Sequence, residues 1–294
     1  MFTELLRQHF VHVALLAGAV AALLAGLLGP LVVVRRNAFA VHGIAELSLT
    51  GAAGGLLLGV SASTGALVGS LLVGALLGAL GIRGYDRDTT TGAILAAGLG
   101  LGVLFLSRVH TYATTGFGLL FGSITSVSDS QLHQLLVVAA VVIAALAALW
   151  RPLWFASVDP DAAEARGVPV RTLSVLFPIV LAAAVSQTIQ VTGVLLILTL
   201  VVTPAAAAQL LVSRRRLLVT LSVTIAVLTT VGGILASLAW NAPPSFFVAT
   251  LSFFSYLGAR LIAVFRGRRH RRSSATPITA LARTASVPVP ARRS

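Results

Sequence analysis

The sequence lacks several residues that soluble proteins use on their surfaces and in their catalytic sites. It has no cysteine, and every one of its 21 basic residues is an arginine. The absence of cysteine excludes disulfides and thiolate-bound metals. The absence of lysine excludes a Gly-x-x-x-x-Gly-Lys-Ser/Thr phosphate loop in this chain. Charged residues make up 10% of the 294, whereas a soluble domain carries about a quarter. A soluble protein is therefore excluded.

Apolar residues are abundant and come in long runs. They make up 57% of the chain, and the mean hydropathy is +0.98. The runs at 11–34 and 217–240 exceed the length of about 20 residues that a helix needs to cross the hydrocarbon core. The 27 glycines suit helices that pack closely in lipid. The sequence thus predicts an all-α, polytopic transmembrane helix bundle.

Apolar windows predict about nine spanning helices. Eight is the alternative count, because the second segment is the least apolar. The sixth and seventh segments meet at residues 190–191, where the chain forms either a hairpin or a broken helix. The predicted spans are 12–34, 38–61, 64–82, 91–107, 131–149, 172–190, 192–212, 217–239 and 245–265.

The arginines follow alternate predicted spans. Five clusters follow the first, third, fifth, seventh and ninth segments, and with nine spans all five fall on one side of the bilayer. The positive-inside rule makes that side cytoplasmic. We therefore expect a multi-pass protein of the plasma (bacterial cytoplasmic) membrane, with its N-terminus outside and its C-terminus inside. The same distribution explains the net charge of +13 without a nucleic-acid partner.

The chain divides by composition into two parts. Residues 1–265 form the predicted transmembrane domain. Residues 266–294 are rich in Arg, Ser, Thr, Pro and Ala, which predicts a basic, disordered cytoplasmic tail. Its first arginines either end the last span as a stop-transfer anchor or lie on anionic lipid headgroups.

One acidic residue falls inside a predicted span. The other seven of the eight acids lie outside the spans, but Glu46 is in the second, with His42 four residues before it on the same helical face. An ionisable group in a spanning helix usually marks a transport pathway or a paired structural contact. A His and a carboxylate at this spacing can place two ligand atoms on one Zn²⁺, Mn²⁺ or Fe²⁺ ion. We expect this metal site in preference to a simple hydrogen bond between the two side chains.

Other polar residues in the spans are possible pathway residues. Ser48 and Thr50 add oxygens near the His–Glu pair, and Gln187 and Gln190 lie near the outer end of the sixth span. Pro204 in the seventh span is expected to break its helix locally, because proline removes a backbone donor.

A cytoplasmic segment at 157–169 has the pattern of a short, capped helix. Asp159 can cap a helix that begins at Pro160, acids such as Glu164 follow, and Gly167 ends it. The segment either presents a rigid element to a cytoplasmic partner or is an ordinary connector.

This segment resembles the coupling helix of permeases from the zinc/manganese/iron family of ABC importers, which reads Asp-Pro, then an acidic, Ala-rich turn, then Gly-Val. Three more stretches resemble that family in order along the chain. They are Gly-Pro at 29–30 followed by Arg-Arg at 35–36, Leu-Leu-Phe-Gly-Ser-Ile at 119–124, and Gln-Val-Thr-Gly-Val-Leu-Leu at 190–196 followed by Pro-Ala-Ala at 204–206.

The resemblance implies partners and a role for each site. A cytoplasmic ATP-binding subunit would dock on Asp159, Pro160, Glu164 and Gly167. An extracytoplasmic protein would deliver the metal, and the permease would act as a homodimer or a permease pair. The metal would be a transported substrate, with no cofactor bound permanently, and the chain itself would be no enzyme.

The family's second helix usually carries Asp-Ala-x-Ser-His, followed three residues later by Pro-Gly. His42 stands where that motif has Asp, and Glu46 stands where it has His, so the two ligand types have exchanged places. Thr50 stands where proline is usual.

The sequence therefore predicts the permease subunit of an ABC importer for Zn²⁺, Mn²⁺ or Fe²⁺. Two alternatives stay open at this point. One is an ion-coupled secondary transporter in which Glu46 relays protons, and the other is an ABC permease for a metal chelate, such as a siderophore or cobalamin.

Overall fold

The computed structural model describes residues 9–80, 87–108, 128–240 and 242–273, and these form helices joined by short connections. A 3₁₀ turn at Val194–Leu196 precedes the eighth helix. The helices are α1 (His9–Val34), α2 (Ala38–Leu57), α3 (Ala62–Leu80), α4 (Arg87–Arg108), α5 (Asp129–Val158), α6 (Pro160–Ala165), α7 (Val170–Thr192), α8 (Ile197–Leu211), α9 (Arg215–Trp240) and α10 (Pro244–Ser273).

Seven of the described helices are long and apolar enough to cross a membrane: α1, α3, α4, α5, α7, α9 and α10. The other two predicted spans are also helical. Helix α2 is the less apolar segment that carries Glu46, and α8 is a shorter apolar helix of 15 residues. The all-α, polytopic class is thus confirmed, and nine is an approximate count of spans.

Several predictions fall outside the described residues. They concern the 119–124 motif, the part of the arginine cluster after the third predicted span that lies before residue 87, and the tail from residue 274 onward. Helix α10 includes the first eight residues of the predicted tail, as far as Ser273. The division of the chain at residue 265 stays a prediction.

Helix α5 continues nine residues beyond its predicted end at residue 149 and ends at Val158. The apolar window stopped before Arg151, but this arginine lies on the exposed face and does not end the helix. The buried face continues past Pro152 through Leu153 and Ala156. Packing of this face therefore outweighs the loss of one backbone donor at the proline.

The expected break at Pro204 is wrong. Helix α8 runs through this residue from Ile197 to Leu211. A close crossing by α1 supports it, because a Cβ added to Gly29 would overlap the carbonyl oxygen of Val201 and the side chain of Ala205. The break lies earlier, at Gly193, where a φ of 83° ends α7 in a conformation that favours glycine.

Helices α1 and α7 form the centre of the bundle. Helix α1 packs against α5, α7, α8 and α9, while α7 also packs against α2, α3 and α5. Their shared core includes Leu24, Leu28, Phe177 and Leu181, each with at most 1% of its surface exposed. Helix α2 lies beside this centre, with α3 on one side and α4 on the other.

Glycines bring α3 close to both of its neighbours. Gly65 and Gly69 face Gly51 and Gly55 of α2, and a Cβ added to Gly65 would lie 2.8 Å from the Cα of Gly55. One turn further on, Gly74 contacts the backbone of α7 in the same way. Small residues at such crossings allow the van der Waals packing that holds helices together in lipid.

We expect Gly65→Val to destabilise the bundle, because the added side chain would meet the backbone of α2. Overpacking of this kind costs about 1–3 kcal/mol. Gly100→Val in α4 is the matched control, since a Cβ there would meet no described atom within 4 Å. Thermal unfolding in detergent should give a lower midpoint for the Gly65 variant alone. Equal midpoints would contradict the α2–α3 crossing.

Candidate functional site

Helix α2 holds the histidine and the carboxylate next to each other. His42 Nε2 lies 3.0 Å from Glu46 Oε1, and the two side chains are 32% and 25% exposed. A helix brings residues i and i+4 together on one face, which explains the contact. With a rise of about 1.5 Å per residue, the pair lies about 6–12 Å along α2 from Ala38.

The pair lies on an open face of α2. Ile44 on the opposite face, and Val41 and Ala45 on one flank, are buried in the bundle. Helix α4 covers a third side, where Thr91 is close to Gly43. His42 and Glu46 are thus held by a packed helix while their side chains stay accessible from outside the single chain.

One chain offers two side chains at this position that could bind a metal. Nowhere among the described residues do three or more His, Cys, Asp or Glu side chains form a group that could hold a metal ion. Zn²⁺ sites use four ligands and Mn²⁺ suits octahedral oxygen-rich sites, so two donors leave the coordination incomplete. Water or another chain has to provide the rest.

Ser48 and Thr50 lie on the same helix, but they are directed elsewhere. The Thr50 hydroxyl donates a hydrogen bond of 2.9 Å to the Gly98 carbonyl of α4. Ser48 is 2% exposed and lies on the buried face. The Thr50 hydrogen bond holds α2 against α4, and a pathway role for Ser48 and Thr50 stays a prediction.

The two glutamines lie in α7, away from the His–Glu pair. Ser63 Oγ of α3 is within hydrogen-bonding distance of the amide oxygens of Gln134 and Gln190, at 2.6 and 2.8 Å, and so joins α3, α5 and α7. Gln187 is 1% exposed, and neither atom of its amide has a hydrogen-bond partner in the described part of the chain. A pathway role for these glutamines also stays a prediction.

The unpartnered amide predicts that Gln187→Leu raises the thermal unfolding midpoint of the purified protein. An unsatisfied buried polar group costs about 1–3 kcal/mol, and leucine fills a similar space without that cost. Gln190→Leu is the control, because it removes a bonded amide and should not stabilise. A lower midpoint for Gln187→Leu together with lost transport would instead assign this residue to the pathway.

Helix α6 has the predicted caps. The Asp159 side chain accepts a hydrogen bond of 2.9 Å from the backbone N–H of Ala162, and Pro160 occupies the first helical position. Gly167 follows the helix with a φ of 79°. Ala163 is fully buried and anchors α6 on the bundle, while all four predicted docking residues are exposed: Asp159, Pro160, Glu164 and Gly167.

Three arginines from separate sequence clusters meet at the end of α5. Arg35 stacks over Phe177 at 4.7 Å, Arg166 over Phe155 at 5.6 Å and Arg215 over Trp154 at 5.7 Å. We call this the arginine-rich end of the bundle, and α6 lies on it. Three of the five clusters that alternate along the sequence are therefore neighbours in space among the described residues.

Sequence reasoning missed the contacts of Arg35. The sequence indicates Arg35 only as part of a cluster that marks topology, yet its side chain also donates a hydrogen bond to Ser157 of α5. The one signal in the sequence was its place at the end of the first span, five residues after Pro30.

Comparison with known proteins finds a match to the model of the ABC 3 transport family over residues 7–263. The chain is 25% identical to the manganese transport system membrane protein MntC of Halalkalibacterium halodurans, over 94% of this chain and 97% of that one. It is 28% identical to the manganese import system permease protein ScaB of Streptococcus parasanguinis, over 93% of this chain and 98% of that one.

Solved structures share the fold. The structure of PsaBC from Streptococcus pneumoniae in complex with Fab matches with a TM-score of 0.78 and 26% identity, covering 88% of this chain and 94% of that one. An inward-facing putative metal-chelate type ABC transporter matches with a TM-score of 0.66 and 17% identity, covering 87% and 85%, which is a likeness of fold.

Proposed function

This chain belongs to the ABC 3 transport family, and from that premise we propose that it is the permease subunit of an importer that carries a divalent transition metal ion across the plasma membrane. The family resemblance expected from the sequence is thereby confirmed. Relatives that align over nearly their whole length are named for manganese transport, which supports Mn²⁺ as the first ion to test. ATP hydrolysis belongs to a separate subunit in this proposal.

The observation that carries the proposal is the His42–Glu46 contact of 3.0 Å on an open face of a helix inside the bundle. An imidazole nitrogen and a carboxylate oxygen are ligands for Mn²⁺, Fe²⁺ and Zn²⁺ alike. An ion entering between them would replace their mutual hydrogen bond and neutralise the carboxylate. In this proposal the metal is bound transiently as the transported substrate.

A second copy of the chain would complete the site. Two open α2 faces brought together would supply four protein ligands, two imidazoles and two carboxylates, to one ion. This arrangement explains why the pair is accessible although its helix is packed on the other sides. We therefore propose a homodimer, or a pair with a similar permease, in which the ion passes between the two α2 helices.

The other partners follow from the two ends of the bundle. The arginine-rich end is the cytoplasmic one by the positive-inside rule, so the N-terminus is outside and the C-terminus inside. An ATP-binding subunit would dock on the exposed residues Asp159, Pro160, Glu164 and Gly167. A metal-binding protein would deliver the ion to the opposite end, near Gln134 and Gln190.

His42→Ala and Glu46→Ala should each reduce metal uptake to the level of cells that lack the chain, because either change removes half of the ligands that one copy supplies. Uptake of radioactive Mn²⁺ by cells that express the complete importer measures this. The amount of membrane-inserted protein should not change.

His133→Ala is the matched control, since this histidine is exposed near the start of α5. Its uptake should equal that of the unchanged chain. Normal uptake by both the His42 and the Glu46 variants would refute the metal site.

Glu164→Lys should weaken capture of the ATP-binding subunit by roughly ten-fold, because it reverses an exposed charge on α6. Asp129→Lys is the control, as it reverses an exposed charge at the opposite end of the bundle. Affinity capture from solubilised membranes measures the difference. Equal capture of both variants would place the docking surface elsewhere.

No specific observation favours the two alternative functions. Membership of an ABC transport family leaves the ion-coupled secondary transporter without support. The likeness to a metal-chelate type transporter is one of fold, and a chelate would not need the ligand pair of His42 and Glu46. ATP-dependent uptake of free Mn²⁺ that survives dissipation of the proton gradient would separate all three functions.

A further inference from the structure

The Arg35 side chain joins three helices at the arginine-rich end. Its Nε donates a hydrogen bond of 2.6 Å to Ser157 Oγ, and its Nη2 donates one of 3.4 Å to the Leu153 carbonyl, both in α5. Its guanidinium lies 4.7 Å from the ring centre of Phe177, which is fully buried in α7. A planar guanidinium can donate these hydrogen bonds and stack on the aromatic ring at the same time, whereas a lysine ammonium is a single point charge.

The α5 residue that contacts Arg35 lies close to the start of α6. Ser157 is three residues before Pro160, and the backbone N–H of Asp159 still bonds to the Phe155 carbonyl at 3.1 Å. Arg166, at the other end of α6, stacks over the Phe155 ring. Helix α6 is thus held to the end of α5 at both of its own ends, so the two should move together.

Arg35 itself lies close to the start of α2. Arg35 belongs to a turn of three residues between α1 and α2, in which Arg36 has a φ of 55°. The N–H of Asn37 donates to the Val32 carbonyl at 2.9 Å, and the N–H of Arg36 donates to Val33 at 3.1 Å. This hydrogen-bonded helix end fixes the turn. A displacement of Arg35 therefore displaces the start of α2, with His42 seven residues further on.

From these contacts we propose that Arg35 is a positioning residue that couples movement of α6 to the His42–Glu46 pair. The coupling rests on the proposed function, in which an ATP-binding subunit moves α6. When α6 moves with the end of α5, the two hydrogen bonds of Arg35 draw the α1–α2 turn in the same direction. Helices shift as rigid bodies in such transitions, so the displacement reaches the ligand pair.

The test is the amount of Mn²⁺ transported per ATP hydrolysed. The complete importer, with its ATP-binding subunit and metal-binding protein, is reconstituted in vesicles with Mn²⁺ as the probe. Arg35→Gln should lower the ratio by about ten-fold, while capture of the ATP-binding subunit and basal hydrolysis stay unchanged. Arg36→Gln is the matched control, because Arg36 is the exposed neighbour in the same turn, and it should keep the normal ratio.

Two further variants keep the proposal testable if Arg35→Gln is not recovered from membranes. Arg35→Lys keeps the positive charge but lacks the planar set of guanidinium donors, and Ser157→Ala removes the hydroxyl that accepts from Arg35 Nε. Each should lower the ratio, and the double variant should be no worse than the stronger single one, because both break the same contact.

A normal Mn²⁺-to-ATP ratio in Arg35→Lys and Ser157→Ala would overturn the coupling role, as would a loss in Arg35→Gln that only follows the loss of protein or of ATPase capture. The unchanged importer serves as the reference. If it shows no ATP-dependent Mn²⁺ uptake, the proposed function itself fails, which is a different result from an active importer in which the Arg35 variants behave normally.

Discussion

The structure depends on the stabilisation of two ionisable side chains, His42 and Glu46, in a helix that lies among membrane-spanning helices. A charged side chain at membrane depth is costly, and the cost falls when a partner is within hydrogen-bonding distance. His42 and Glu46 provide this partner for each other at 3.0 Å. Several hydroxyl groups in the bundle are satisfied by their own helix, as when Thr188 donates to the Ala184 carbonyl at 2.8 Å, while others, such as Ser70 and Thr230, have no hydrogen-bond partner among the described residues. In the proposed function, the His42–Glu46 pair supplies two ligand atoms for the transported cation.

The packing of α2 makes that pair accessible. Glycines at the α2–α3 crossing let the backbones approach, and the Thr50 hydroxyl fixes α2 to α4. Once these sides and the core face are filled, the face with His42 and Glu46 is left open. The same packing makes α2 a rigid element that begins directly after the Arg35 turn. The proposed ion site and the proposed mechanical link to the arginine-rich end therefore lie in one short stretch of sequence.

Much of the architecture could be predicted from the sequence, since lipid imposes simple rules on it. Long apolar runs predicted the helices, the caps of α6 followed from Asp159, Pro160 and Gly167, and three of the five alternating arginine clusters meet at one end as predicted. The i, i+4 spacing gave the His42–Glu46 contact because it is local to one helix. These features depend on neighbouring residues along the chain.

The remaining features depend on contacts between distant residues. Arg35 and Ser157 are 122 residues apart, and no periodicity in the sequence pairs them. Helix α8 continues through Pro204 where it crosses Gly29 of α1, a contact between residues far apart in the sequence. The length of α5 was underestimated because hydropathy falls at Arg151, although one exposed charge does not end a packed helix. Thr50 and Gln190 were expected near a pathway, and what they contact became visible only with the neighbouring helices in place.

His42 and Glu46 are the residues that we propose to bind the transported metal. Electron–nuclear double resonance of Mn²⁺ bound to the purified permease, labelled with ¹⁵N-histidine, detects such binding. We expect a histidine nitrogen coupling that disappears in His42→Ala and persists in His133→Ala. A coupling that persists in His42→Ala, or Mn²⁺ bound without any histidine nitrogen, would refute this assignment.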